Sequence, residues 1–361
     1  MQAGEITAMA NRIDRRSFLG ASAGAALLCT IGGTTYQVND AADLAQVDAA
    51  AAKLKRPAPK ARAAAELTGF PTPTPAEGGQ VREYWIQART RWWDIMPHKR
   101  DDWHDVPIRG KSTYRAFVYQ EMTPGFAAPK GPPSIPGPIL KCEVGDLLVV
   151  HFRNADRVLE QAITMHPHGV KYNPEYDGAF MGAYTRTGGF VEPGEEFTYR
   201  WEATPDSVGV WPYHDHGPNH TVNTMRGLFG AIIVYPKGAK IPDVERVLFL
   251  HALTPPITGL PTARQCINGR AFAGNTPTIQ AKVGQDVALH VIGMDDAFHD
   301  FHIHGHRWKD ASGTYVDTPA VGPNETITAR FTEDNPGRWL YHCHVFSHQD
   351  GGMAGWYVVD R

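Results

Sequence analysis

The sequence predicts an all-β protein built from two sandwich or barrel domains, and three observations carry that expectation. Short runs rich in Val, Ile, Tyr and Phe recur between turn residues, as in Leu147-Leu148-Val149-Val150 and Ala231-Ile232-Ile233-Val234-Tyr235. Turn formers are abundant, with 36 Gly and 28 Pro. A length of 361 residues gives two domains of ordinary size, each with its own core. The chain is 42% hydrophobic and 20% charged, with a formal net charge of -3 and no long run of like charge. That balance fits a soluble globular protein and argues against nucleic acid as a partner.

From the N-terminus, Arg15-Arg16-Ser17-Phe18-Leu19-Gly20 precedes an apolar stretch from Ala21 to Ile31 that is too short to span a bilayer. Residues 1–33 therefore read as an export signal, and the paired arginines resemble a twin-arginine signal. A membrane anchor is the alternative, since no tidy small-x-small cleavage site follows. Localisation is expected to be periplasmic or extracellular. Residues 34–79 are rich in Ala, Pro and Lys, with Pro71-Thr72-Pro73-Thr74-Pro75 near the end, and read as a linker or arm.

The remainder is one pattern written twice, which predicts domains at 80–238 and 239–361 with a junction near Pro236 to Pro242. Gly137-Pro138-Ile139-Leu140-Lys141-Cys142-Glu143-Val144-Gly145-Asp146 opens the first copy. Thr276-Pro277-Thr278-Ile279-Gln280-Ala281-Lys282-Val283-Gly284-Gln285 opens the second. Each copy carries a His-x-His-Gly, at His166-Pro167-His168-Gly169 and His302-Ile303-His304-Gly305. Each closes on a further His-rich strand, from Trp211 to Met225 and from Trp339 to Met353, where Trp, Tyr, three His and Met recur at identical offsets over fifteen positions.

In a strand, residues i and i+2 share a face while i+1 points the other way. Each His-x-His therefore offers two imidazoles side by side, in the pairs His166/His168, His214/His216, His302/His304 and His342/His344. A single such pair is more often an ordinary pair of polar strand residues; four at matching repeat positions point to metal. Imidazole suits copper, zinc, iron or nickel, so the pairs alone do not choose among them. Cys343 does. Alternating with His342 and His344, its sulfur leaves the opposite face of the strand. His299, His348 and Met353 complete two imidazoles, a thiolate and a thioether, the ligand set of a blue copper site. Zinc has no need of the thioether. The adjacency of Cys343 to two cluster ligands makes the strand a short electron path.

The first copy has Ile163, Asp215, His220 and Met225 at the equivalent positions. Lacking the thiolate and one imidazole, it holds no blue site, and His220 and Met225 read as relics or packing residues. Of the other cysteines, Cys29 falls in the signal, while Cys142 and Cys266 are either a disulfide or two buried thiols.

These four segments resemble the copper motifs of multicopper oxidases, and their distribution is most similar to that of two-domain bacterial laccases, over roughly residues 80–361. The resemblance implies two cupredoxin-like Greek-key β-sandwich domains. It implies four coppers per chain: type 1 on His299, Cys343, His348 and axial Met353, type 2 on His166 and His302, and a type 3 pair on His168, His214, His216, His304, His342 and His344. It also implies Asp177, Asp317 and Tyr172 near the cluster, the acids as proton donors or relays for oxygen reduction; an ordinary loop Asp or packed Tyr is the alternative for each. The chain departs from the pattern at residues 85–125, where Trp92-Trp93, His98, Trp103 and His104 make a longer, more aromatic segment.

The implied activity is laccase-like: one-electron oxidation of phenolic or other aromatic donors, coupled to reduction of dioxygen to water, in a homotrimer with clusters between subunits. No membrane partner is expected. A metallo-oxidase for Cu(I) or Fe(II) is the nearest rival, disfavoured because the sequence has no Met-rich loop. A copper nitrite reductase needs only a three-His catalytic copper and carries its blue site in the first domain. A non-enzymatic copper carrier or store leaves the four His pairs unexplained.

Overall fold

The structure, a computed structural model, describes residues 27–58 and 69–361. It is mostly strand, and two sandwiches account for most of it. In the first, one sheet orders Glu196–Glu202, Leu147–Asn154, Val81–Asp94 and Thr113–Met122. The facing sheet orders Ile139–Glu143, Phe229–Tyr235, Gly209–His214 and His166–Pro167. The second repeats this plan, with Arg264–Ile267, Val244–Leu253, Asp286–Gly293 and Thr326–Thr332 against Ile279–Lys282, Ala354–Asp360, Gly337–Cys343, His299–Ile303 and Ala320–Val321. The duplicated opening segments hold equivalent places: Ile139–Glu143 pairs in parallel with Phe229–Tyr235, as Ile279–Lys282 does with Ala354–Asp360.

The unbroken apolar run at Ala231–Tyr235 has a physical reason. Ile232 and Val234 point into the first sandwich, while Phe229, Ala231 and Ile233 point out, into a second core shared with the other domain. Val244–Leu253 does the same from its side, with Leu248 and Leu250 inward and Val247 and Phe249 outward. A strand buried on both faces carries no polar alternation. The Phe229 and Phe249 rings meet at 4.9 Å across this seam. Each fully buried ring of this kind contributes about 1.5–3 kcal/mol, so the two domains of one chain are packed firmly together.

The first part of residues 34–79, read as a linker or arm, carries regular structure. Leu27–Ile31 and Thr34–Val38 form a hairpin, and Ala41–Lys53 is a helix capped by Asp40, whose side chain accepts from the amides of Ala42 and Asp43. Leu44, Val47 and Ala51 make its buried stripe. Asp48 forms two 2.6 Å bonds with the buried Arg226 guanidinium and accepts from Gln161, fixing the helix to the first sandwich. The Ala-rich run resembles low complexity because small residues dilute the helical period. Leu27, Cys29 and Ile31, at the end of the stretch read as an export signal, alternate inward as a strand. The Arg15–Gly20 motif lies outside the described residues. Cys29, Cys142 and Cys266 are buried free thiols, with burial pushing Cys142 up to about 12.

The aromatic segment bridges the domains. Trp93 Nε1 donates to the Gly269 carbonyl at 2.6 Å, and the His98 amide donates to Asn275 Oδ1 at 2.9 Å. Between the strands Val81–Asp94 and Thr113–Met122, a small hairpin of Arg100–Asp101 and Val106–Pro107 carries Trp103 against the second domain.

Candidate metal centre

The paired histidines lie on neighbouring strands in register. His166 sits opposite His214, and His302 opposite His342. A glycine and a tryptophan hold each arrangement. Gly169 and Gly305 end the His-x-His strands at φ of +71° and +73°, a left-handed turn that favours glycine. A Cβ on Gly169 would lie 2.0 Å from the ring of Trp211, and one on Gly305 3.1 Å from Trp339. The repeated Trp is therefore the packing partner of the repeated Gly, which fixes the separation of the two His strands.

Three donor sets result. His166, His168 and His214 converge in the first domain, His302, His304 and His342 in the second, and His299, Cys343 and His348 form the third. His216 joins the first set at 5.0 Å between rings from His166, and His344 joins the second at 5.5 Å from His302. Among the described residues, neither imidazole set includes a side chain from the other domain.

Hydrogen bonds select the free nitrogen of each imidazole. His166 Nδ1 donates to the Asp177 carbonyl at 2.7 Å, and His302 Nδ1 to the Asp317 carbonyl at 2.8 Å. His214 Nδ1 donates to Asp215 O at 2.8 Å, and His342 Nδ1 to Cys343 O at 2.9 Å. Each keeps a lone pair on Nε2, the arrangement expected of metal-bound imidazoles. Nε2 of His168 lies 3.0 Å from that of His214, and Nε2 of His304 3.3 Å from that of His342. Burial, then neighbouring imidazoles, pushes His168 and His216 down to about 4. Burial takes His214 to about 3 and His342 to about 4. All four are neutral near pH 7, the form that binds metal. Converging neutral nitrogens of this kind fit copper.

At the third set, Cys343 Sγ stands 3.8 Å from His299 Nδ1 and 3.6 Å from His348 Nδ1. Burial raises the thiol, but His299, His348 and backbone groups of Asp300 and Val345 outweigh it and bring Cys343 to about 6. It is thus a thiolate at neutral pH, as a metal ligand must be. Met353 is fully buried in the same core. His299 Nε2 bonds Asp295 Oδ1 at 2.9 Å, which orients the ring and raises it to about 9 against its burial. Asp295 was not recognisable in the sequence, because no motif marks a loop carboxylate four residues before a ligand.

The first domain fills the equivalent corner differently. Asp215, wholly buried, accepts from the Thr164 amide at 2.8 Å, the Gly217 amide at 3.1 Å and Asn223 Nδ2 at 3.0 Å. With Ile163 also buried there, the corner offers a hydrogen-bonded carboxylate and no thiolate.

Tyr172 and Asp177 lie beside the first imidazole set. The Tyr172 ring is 5.9 Å from that of His166, and Asp177 Oδ1 is 3.2 Å from His166 Nδ1. Burial, then the Asp177 charge, pushes Tyr172 up to about 12. Asp317 meets His302 through its carbonyl and leaves its carboxylate exposed. Trp103 lies 6.3 Å from the His342 ring, a neighbour that sequence spacing could not assign.

Two family models, each described as multicopper oxidase, match residues 133–239 and 251–361, one on each sandwich. The chain belongs to the multicopper oxidase family. Among curated relatives, it is 31% identical over 253 residues to a probable nitrite reductase-hydroxylamine oxidoreductase fusion protein of Kuenenia stuttgartiensis, covering 66% of this chain and 29% of that one. It is 29% identical over 305 residues to the ferroxidase HEPHL1 of Homo sapiens, covering 71% of this chain and 26% of that protein. The chain thus spans under a third of the length of either relative. Among solved structures, the blue copper oxidase from Nitrosomonas europaea aligns with a TM-score of 0.55 at 26% identity, over 78% of this chain and 86% of that one. A multicopper oxidase crystal structure aligns with a TM-score of 0.61 at 24% identity, over 78% and 89%, which supports the cupredoxin fold alone.

Proposed function

We propose that this multicopper oxidase is laccase-like: it takes single electrons from phenolic or other aromatic donors beside His348 and passes them to dioxygen. The observation that carries this reading is the position of Cys343. Its side chain meets His299 and His348, while its chain neighbours His342 and His344 belong to an imidazole set. Copper, when bound, accepts single electrons at the Cys343 site and reduces dioxygen to water at the imidazole cluster. His299, Cys343, His348 and Met353 would hold the type 1 ion, His166 and His302 would hold type 2, and His168, His214, His216, His304, His342 and His344 would hold the type 3 pair. Phe298 and Phe346, 69% and 71% exposed, flank the type 1 ligands and give an aromatic donor an apolar surface.

Because the two imidazole sets stand apart within one chain, the cluster is read as forming between subunits of a homotrimer. Export across the inner membrane is part of the same proposal; among the described residues, no helix is long and apolar enough to cross a membrane. A nitrite reductase reading, suggested by the name of the Kuenenia relative, leaves half the imidazole pairs without a role.

A copper count with a visible spectrum and oxygen uptake tests the reading. About four coppers per chain, a blue band and phenol-dependent oxygen uptake are expected; about one copper and no uptake would make the chain a carrier. Proton supply gives a second test. Asp177 touches both His166 and Tyr172, so Asp177→Asn is expected to slow turnover about 100-fold with the blue band unchanged, because a carboxamide relays no proton. Asp317→Asn, with its exposed carboxylate, is expected to have the smaller effect. Wild-type turnover in both variants across the pH range would make these acids ordinary loop residues.

A further inference from the structure

The strand pair that follows the second His-x-His builds a cavity that the copper chemistry does not use. Trp308–Lys309 pairs with Tyr315–Val316, which sets Lys309 opposite Tyr315. Beside this pair lies a cavity of about 390 Å³, lined by Arg307, Lys309, Tyr315, Arg330, Asp334 and the buried His306. That volume falls within the roughly 300–1,000 Å³ of pockets that hold organic ligands.

The charges around it do not balance. Arg307 Cζ stands 5.8 Å, and Lys309 Nζ 5.3 Å, from the centre of the Tyr315 ring, which is 63% exposed. Among the described residues neither cation has an ion-pair partner. Carboxylates close by are engaged. Asp310 Oδ1 accepts from the amides of Ser312 at 2.9 Å and Thr314 at 3.0 Å, closing its own turn, and Asp286 accepts from Arg330 Nη2 at 2.8 Å and Nε at 3.1 Å. With Arg330 matched by Asp286, and Asp334 offsetting only one of Arg307 and Lys309, a single positive charge is left over. Two like charges gathered at one ring repel each other. One negative charge carried on an aromatic body complements them: a carboxylate fits the guanidinium fork, and its ring finds Tyr315. Inorganic phosphate has no apolar part and would leave that ring unused.

We propose that this cavity binds an aromatic monocarboxylate, with its carboxylate on Arg307 and Lys309 and its ring on Tyr315. The place is separate from the donor surface at His348. His306 Nδ1 donates to the His304 carbonyl at 2.8 Å, and its Nε2 meets Glu333 Oε1 at 3.1 Å, so the cavity adjoins the second imidazole set and not Cys343. The acid is therefore held as a bound ligand rather than as an electron donor, and the proposal stands whichever donor the enzyme oxidises.

Benzoate, which resists one-electron oxidation, tests the site by calorimetric titration of the copper-loaded protein. A Kd of about 1 mM or tighter is expected for a ligand of this size. Benzamide, acetate and inorganic phosphate should each bind at least 10-fold more weakly. The Arg307→Gln/Lys309→Gln variant, in which both altered side chains are exposed, should also bind benzoate at least 10-fold more weakly. Lys237→Gln/Lys282→Gln, which removes the same charge elsewhere on the surface, should bind it as the wild type does. Saturating benzoate should raise the unfolding temperature of the wild type and not that of the Arg307/Lys309 variant. Equal affinity for benzoate and benzamide, tighter binding of phosphate, an equal loss in both double variants, or unchanged affinity in the first would overturn the proposal.

Discussion

Replacing Cys343 by Ser is expected to abolish the blue absorption and donor oxidation together, a loss of at least four orders of magnitude, while most cluster copper stays bound. The absorption is a thiolate-to-copper transition, and a serine hydroxyl is not ionised at neutral pH. His299 and His348 remain in place, held by Asp295 and by the backbone bonds of the turn after Cys343, so the variant should still fold. Visible spectroscopy with copper analysis reads the result, and a surviving blue band would remove the central assignment. Asp215→Ala supplies the counterpart in the first domain. It should leave the blue band untouched and lower stability by about 1–3 kcal/mol, because buried donors on Thr164, Gly217 and Asn223 lose their acceptor.

Mixing two inactive chains, His166→Ala/His168→Ala and His302→Ala/His304→Ala, is expected to restore activity. In a head-to-tail trimer, each first domain meets the next chain's second domain. About one interface in three of every mixed trimer then joins an intact first domain to an intact second one. If the cluster instead formed within a chain, every copy would stay damaged and mixing would restore nothing. Within one chain the two imidazole sets form separate groups, as the first outcome requires. Verified mixed trimers without activity, or a fully active monomer in sedimentation, would end the proposal. Copper bound across subunits should also hold the oligomer together by mass action, so a chelator is expected to loosen it.

The donor sets were legible in the sequence because strand geometry converts spacing directly into direction: His342 and His344 share a face, and Cys343 must take the other. The repeated Trp and Gly were visible too, although their contact was not, since it joins segments distant in the chain. The docked helix was missed for a compositional reason. Its buried stripe of Leu44, Val47 and Ala51 is diluted by alanines on every side. Asp295 and Trp103 were beyond reach. Each depends on where a loop or a second domain comes to rest, which no local pattern encodes.

The corner at Asp215 bears on the order in which the molecule matures. There the first domain closes its metal-free corner with groups that the chain itself supplies, so that corner is complete as soon as the strands meet. The corresponding corner of the second domain sets the Cys343 sulfur beside two imidazoles and, on the proposed assignment, reaches its working form only when an ion arrives. One half of the duplication is thus self-sufficient and the other awaits delivery. The copper supply can set the moment of activation without setting the moment at which the first domain folds.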